Sequence, residues 1–198
     1  MTSYRTLILF ALILTLGVVS LGAYVRLSDA GLGCPDWPGC YGKITPLHAA
    51  EHIDAELVER PDGPVSHAKA WKEMVHRYFA GALGLMVLAI AVMGWRRRND
   101  GAGGAGLPLL LLALIIFQAL LGMWTVTKLL KPLVVTAHLL GGMATLALLV
   151  WLWLREKGRS TLAYYARAAH LRSGALLGLV LVVVQIALGG WVSTNYAA

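Results

Sequence analysis

Two histidines and a glutamate lie where ionisable side chains are costly. Glu73-Met74-Val75-His76-Arg77 opens an apolar run that continues to Trp95, and His138 lies near the start of the run from Pro132 to Leu154. Each histidine is about five residues into its run, or about 7–8 Å along a helix axis, so the two share one depth. An ionisable group at membrane depth points to function and to a partner. Two imidazoles at one level on neighbouring helices can take the two faces of a haem iron. Zinc fits less well, because no third or fourth ligand is available at that level. The competing reading is a pair of hydrogen-bonded histidines that merely face the bundle interior.

Glu73 stands three residues before His76, so the two share a helix face. It can orient the imidazole, serve proton transfer, or pair with Arg77 or Lys72; residues alone favour an ion pair. Arg77 can snorkel to the interface or reach a haem propionate. Gly81, Gly84, Gly141 and Gly142 lie further along the two helices and would let a flat macrocycle approach, although close helix packing explains them as well. His48 and His52 have helical spacing with Glu51 beside them, but they lack a metalloprotease order and read as solvated surface. His67 and His170 read as interfacial residues without a special role.

The elements that position these groups are membrane helices. Hydrophobic residues make up 58% of the 198-residue chain, and the mean hydropathy is +0.69. Spans are expected over about 7–25, 71–95, 107–127, 132–154 and 172–193, each near the roughly 20 residues a bilayer core requires. The fold class is therefore all-α: a polytopic membrane bundle of four helices plus a fifth, in one domain over 1–198. The first run is too long for a signal-peptide core and is kept as a permanent helix. The net charge of +7 does not indicate a nucleic-acid partner. Arg5, Arg96-Arg97-Arg98, Arg155, Lys157, Arg159, Arg167 and Arg172 flank spans on one side, which places that side and the N-terminus in the cytoplasm. Lys128 and Lys131, in an outer turn, are a mild exception. A bacterial inner membrane is the simplest location.

The segment from about 27 to 70 is then an outer loop. Eight of the ten acidic residues fall between Asp29 and Glu73, giving this loop a different electrostatic character from the basic face. It holds Cys34 and Cys40, the only cysteines, with Pro35, Pro38 and Gly39 between them. An oxidising compartment and a tight turn favour a disulfide, either a structural staple or a redox group. Residues 46–59 are expected to form a short amphipathic helix at the membrane surface. Trp71, Trp95, Trp124, Trp151, Trp153 and Trp191 lie near helix ends and read as an aromatic belt.

The chain also repeats itself. Gln118-Ala-Leu-Leu-Gly-Met-Trp-Thr-Val-Thr127 matches Gln185-Ile-Ala-Leu-Gly-Gly-Trp-Val-Ser-Thr194, and the first span ends similarly in Leu21-Gly-Ala-Tyr-Val-Arg-Leu-Ser28. Glutamine, leucine, glycine, tryptophan and threonine recur in register, as expected of a helix duplication. The fifth helix is then a counterpart of the first.

Taken together, Gly22–Gly42, Lys72–Gly81, Gln118–Thr127, Val135–Gly142 and Leu188–Ala198 resemble the haem A synthase family of cytochrome oxidase assembly proteins, over essentially the whole chain. Typical members of that family resemble two fused four-helix units, each with a histidine pair. This chain resembles the first unit plus the first helix of the second, so as an enzyme it is expected to be incomplete. The resemblance implies oxidation of the C8 methyl of haem O to formyl with molecular oxygen. His76 and His138 would flank the substrate haem, Glu73 would be the catalytic carboxylate, and Cys34 and Cys40 would form an outer disulfide. A haem B cofactor is expected in the second half of the family's pattern. Implied partners are haem O, haem O synthase, cytochrome oxidase assembly factors and the lipid bilayer, with a homo-oligomer left open. Two other readings compete: a membrane b-type electron carrier that leaves haem unmodified, and a quinone-coupled thiol-disulfide oxidoreductase. The last would ordinarily carry a tighter Cys-x-x-Cys motif.

Overall fold

A computed structural model describes residues 3–99, 104–156 and 171–195. Six helices account for most of them: α1 (Ser3–Leu27), α2 (Ala50–Glu59), α3 (His67–Arg96), α4 (Gly106–Thr127), α5 (Pro132–Glu156) and α6 (Arg172–Asn195). All but α2 are long and apolar enough to cross a bilayer. Among the described residues the only strand-like pairing is the isolated bridge between Cys40 and Lys43.

Four of the long helices close into a ring. α1 packs on α3 and α5, and α4 also packs on α3 and α5. α3 and α5 are therefore diagonal partners, not the neighbours expected from sequence. α6 packs on α5 outside the ring, with only Gly190 buried.

The ring has two levels. At the basic end, Tyr4, Ile8, Ala11, Leu83, Val87, Ile90, Leu107, Leu111, Leu149 and Leu152 form one apolar core. Gly94 permits the close approach there: a Cβ would stand 2.8 Å from Pro108 Cγ of α4 and 3.1 Å from the Tyr4 hydroxyl of α1. Towards the loop end, the buried residues include Glu73, Gln118 and Thr136. A second apolar cluster lies in the loop itself, where Cys34, Cys40, Ala49, Ile53, Val65, Ala70 and Met74 pack together.

Element boundaries follow local chemistry. α3 starts at His67, four residues before the expected 71, because the Ser66 side chain accepts a hydrogen bond from Lys69 N–H at 3.3 Å. The surface helix starts at Ala50 instead of 46, since Pro46–Ala49 is turn, with Ala49 N–H donating to Pro46 C=O at 3.2 Å. Its apolar face is turned inward: Ile53 is fully buried and Leu57 partly so, against the disulfide. Burying that isoleucine contributes about 2 kcal/mol. α4 and α5 are joined by a tight turn in which Leu129 and Leu130 both take positive φ, and Pro132 opens α5.

The loop sits directly on α3. A Cβ at Gly33 would stand 2.5 Å from the Lys69 carbonyl carbon and 2.7 Å from Ala70 N. Gly33→Ala therefore forces backbone apart, at a cost of about 1–3 kcal/mol. The expected outcome is faster proteolysis between α1 and α3 and a lower Tm in detergent, read by limited proteolysis and thermal unfolding; unchanged values would refute this docking.

Candidate functional site

Glu73, one turn before His76, connects the outer loop to α3. It is 4% exposed. Its Oε2 accepts the Cys34 backbone N–H at 2.9 Å, and its Oε1 accepts Arg77 Nη2 in an i,i+4 ion pair. Arg77 Nη1 in turn donates to the carbonyls of Asp36 (2.8 Å), Pro38 (3.3 Å) and Gly39. One guanidinium thus gathers three carbonyls of the turn between the two cysteines. Lys72, the other cation considered for Glu73, instead lies over the Tyr24 ring of α1 at 5.1 Å.

The cysteines are joined, with Cα atoms 4.9 Å apart, and both residues are fully buried. The turn is completed by Asp36, whose carboxylate accepts the N–H groups of Tyr41 and Gly42 at 2.6 Å each. Both of those residues have positive φ, which the two hydrogen bonds help to hold. Burial, then the nearby Glu56 carboxylate, pushes the Tyr41 phenol up from its ordinary pKa. An enclosed disulfide is poorly placed for attack by an external thiolate, which weighs against the oxidoreductase reading.

His76 and His138 sit on the ring's diagonal helices, each part-buried against a neighbouring helix. His76 lies against Gly22 of α1 and meets the Val18 carbonyl; His138 lies against Gly122 of α4 and meets the Gln118 carbonyl. Nδ1 of each is buried without a hydrogen-bond partner. Two buried imidazole nitrogens without hydrogen-bond partners, carried by diagonal helices of one ring, make a donor set suited to a metal macrocycle. Among the described residues, no three His, Cys, Asp or Glu side chains converge on a common point.

The remaining candidates separate from this level. Glu73 faces the loop, and its contacts are Cys34 and Arg77, not His76. Arg77 has both terminal nitrogens engaged, so a propionate would have to displace a carbonyl or Glu73. Gly81 is exposed, with nothing within 4 Å of its Cβ position, and Gly84 is equally open. Gly141 instead leaves room for the Gln118 side chain, which a Cβ there would overlap. His48 hydrogen-bonds Thr45 at 2.7 Å, His52 stacks on Tyr41 at 5.6 Å, and His67 pairs with Asp54 at 2.7 Å. His170 lies outside the described residues. Sequence reading missed Val18 and Gln118 as carbonyl partners, although the repeated glutamine and glycine marked one of the two places.

Such a helix ring, with a part-buried histidine on each of two diagonal helices and a disulfide-closed loop docked on α3, defines a multi-pass membrane helix bundle. The chain belongs to the cytochrome oxidase assembly protein family, whose model matches residues 5–198. It is similar to the heme A synthase of Shewanella oneidensis, at 47% identity over 97% of this chain and 57% of the relative. It is also similar to those of Methylobacterium radiotolerans (31% identity; 98% and 57%) and Hyphomonas neptunium (29%; 96% and 58%). No solved structure matches. The chain thus spans under three-fifths of the length of these relatives. Bacterial relatives and five apolar spans make it a multi-pass protein of a bacterial inner membrane.

The Glu73–Arg77 pair generates a test. Arg77→Met leaves a buried carboxylate without its cation and frees three carbonyls, and should cost about 3–5 kcal/mol. Adding Glu73→Gln should recover part of that loss. Denaturant unfolding of the single and double variants measures the coupling, and strictly additive losses would show that the pair is not the tie.

Proposed function

We propose that the chain carries the haem O site of a haem A synthase, oxidising the C8 methyl of haem O to formyl for cytochrome oxidase assembly. The observation that carries this reading is the diagonal pair His76 and His138, each with a buried, unpartnered Nδ1, in a chain similar to proteins named heme A synthase. Relatives named heme A synthase favour this reading over the electron carrier.

In this reading His76 and His138 hold the haem iron, one from each diagonal helix. The Nδ1 atom of each ring is shielded from solvent, as a site that keeps water from its chemistry requires. Bound haem supplies the redox chemistry, with oxygen as oxidant, and the protein supplies placement. Glu73 is the carboxylate assigned to protons, one turn towards the loop from His76. Arg77 serves the same site by fixing the loop over it, so that both oxygens of Glu73 stay engaged. The disulfide keeps the carbonyls that Arg77 gathers on one short turn. In this reading a haem B cofactor and assembly partners would belong to the part of the relatives' length that this chain does not span.

The test is to express the chain, record its absorption spectrum and extract the pigment. The wild type should show a low-spin, two-imidazole spectrum and yield haem O. His76→Ala and His138→Ala should each convert it to a high-spin form. In a setting that supports turnover, Glu73→Gln should retain haem and lose haem A. Retention of the low-spin spectrum in either histidine variant would overturn the assignment. Full haem A formation by Glu73→Gln would remove Glu73 from it.

A further inference from the structure

The two imidazoles are seated by one device used twice. A Cβ at Gly22 would stand 3.1 Å from His76 Cε1 and 3.6 Å from each ring nitrogen. A Cβ at Gly122 would stand 3.5 Å from His138 Cε1 and 3.9 Å from Nε2. The carbonyl that each ring meets belongs to the residue four positions earlier, Val18 for Gly22 and Gln118 for Gly122.

That spacing has a physical cause. In an α-helix the carbonyl of residue i points towards residue i+4, and a side chain there lies over it. This chain shows the effect: Thr15 Oγ1 donates back to Ala11 C=O at 2.7 Å, and Thr145 Oγ1 to Gly141 C=O at 2.9 Å. Glycine at i+4 leaves the same carbonyl open on its outer side. A group from a neighbouring helix can then reach it, although it already accepts the helix's own N–H. Here the incoming group is an imidazole in both cases. The two instances lie on different helices, serve different histidines, and fall at the matching Leu-Gly step of the internal repeat.

We propose that Gly22 and Gly122 are positioning residues for the haem-binding histidines, each uncovering a backbone carbonyl that fixes the orientation of one imidazole. This rests on the haem-site reading above. A ligating histidine is ordinarily held through its second nitrogen, which sets the tautomer and aims the first at the metal. In most proteins a side chain or a loop carbonyl provides that hold. In this ring, a helix carbonyl left open by a missing side chain lies beside each imidazole and is the group proposed for that role. Gly17 and Gly81 lack this role, since nothing lies within 4 Å of their Cβ positions.

The experiment titrates the purified chain in detergent with haem O and reads affinity, optical spectrum and electron paramagnetic resonance. Gly22→Ala should weaken haem binding by about 10-fold or more and shift the bound form towards high spin. Gly122→Ala, with its longer clearance, should act in the same direction less strongly. Gly17→Ala and Gly81→Ala should match the wild type. In a His76→Ala background Gly22→Ala should have no further effect. Unchanged affinity and spin state in both glycine variants would overturn the proposal. So would an equal fold-loss with and without His76, which would mark Gly22 as a packing residue only. If Gly22→Ala does not fold, the milder Gly122→Ala with His138→Ala carries the same cycle. A wild-type chain that takes up no haem would sink the functional reading instead, a result distinct from either of these.

Discussion

The buried pair of Glu73 and Arg77 is the constraint on which the outer half of this protein depends. Neither charge can face lipid, and both sit within a turn of His76. Their mutual neutralisation would be expensive in isolation, because each loses its water. The structure offsets that cost with hydrogen bonds from the outer loop: the Cys34 N–H to the carboxylate, and the Asp36, Pro38 and Gly39 carbonyls to the guanidinium. Loop and helix are therefore interdependent. Without the loop the pair is incompletely satisfied, and without the pair the loop has no polar anchor on α3. The disulfide fits this scheme by keeping the three carbonyls on one short turn, where a single guanidinium can collect them.

This coupling explains the division of the ring into two levels. At the basic end the interior is filled by isoleucine, leucine, valine and a tyrosine ring, and the helices approach as closely as Gly94 allows. Nothing at that level has a polar obligation except at the helix ends. Towards the loop, the interior instead carries His76, His138, Gln118 and Thr136, several of them with polar atoms left unpaired. A bundle built of such residues alone would be poorly held together, since each unpaired group lowers its stability. It is sustained from below by the apolar core and from above by the anchored loop. The polar level can then keep unsatisfied groups for a ligand, which is where unsatisfied groups belong in a protein of this kind.

Much of this was legible in the residues. The five spans follow from hydropathy and length, and the outer loop from charge asymmetry. An ion pair at Glu73 is favoured by the residues, which leave Arg77 and Lys72 both open as its cation, and a Cys34–Cys40 disulfide is favoured by compartment and turn chemistry. Depth along a helix is also a one-dimensional quantity, so a common level for the two histidines is an expectation that counting alone can supply. What could not be counted is azimuth. Spacing does not say that α3 and α5 stand diagonally, and a diagonal placement lets two imidazoles share a centre without their helices touching. Nor does spacing reveal that Arg77 reaches carbonyls about 40 residues earlier, or that Gly141 is emptied for the Gln118 side chain. Those are tertiary facts, fixed by how the loop folds back and how the ring closes.

The repeat shows how sequence and contact can part. α1, α4 and α6 all carry the same Leu-Gly step near the loop end, at Gly22, Gly122 and Gly189. In the first two an imidazole lies on the glycine. At Gly189 nothing lies within 4 Å of the Cβ position, and the neighbouring Gly190 is the residue that packs on Leu139 and Thr136 of α5. Helix packing among the described residues therefore needs Gly190 but gives Gly189 no task. Close approach of helices is the usual reason for glycine in a membrane span, and it accounts for Gly94 and Gly190. Gly22 and Gly122 differ in what they meet, since the nearest neighbour of each is a histidine ring from the helix beside it. A glycine kept in register on three helices and matched by histidine on two is better understood as part of a histidine seat than as part of a packing stripe. That seat is filled on α1 and α4 and empty on α6, although α6 packs on the histidine-bearing α5.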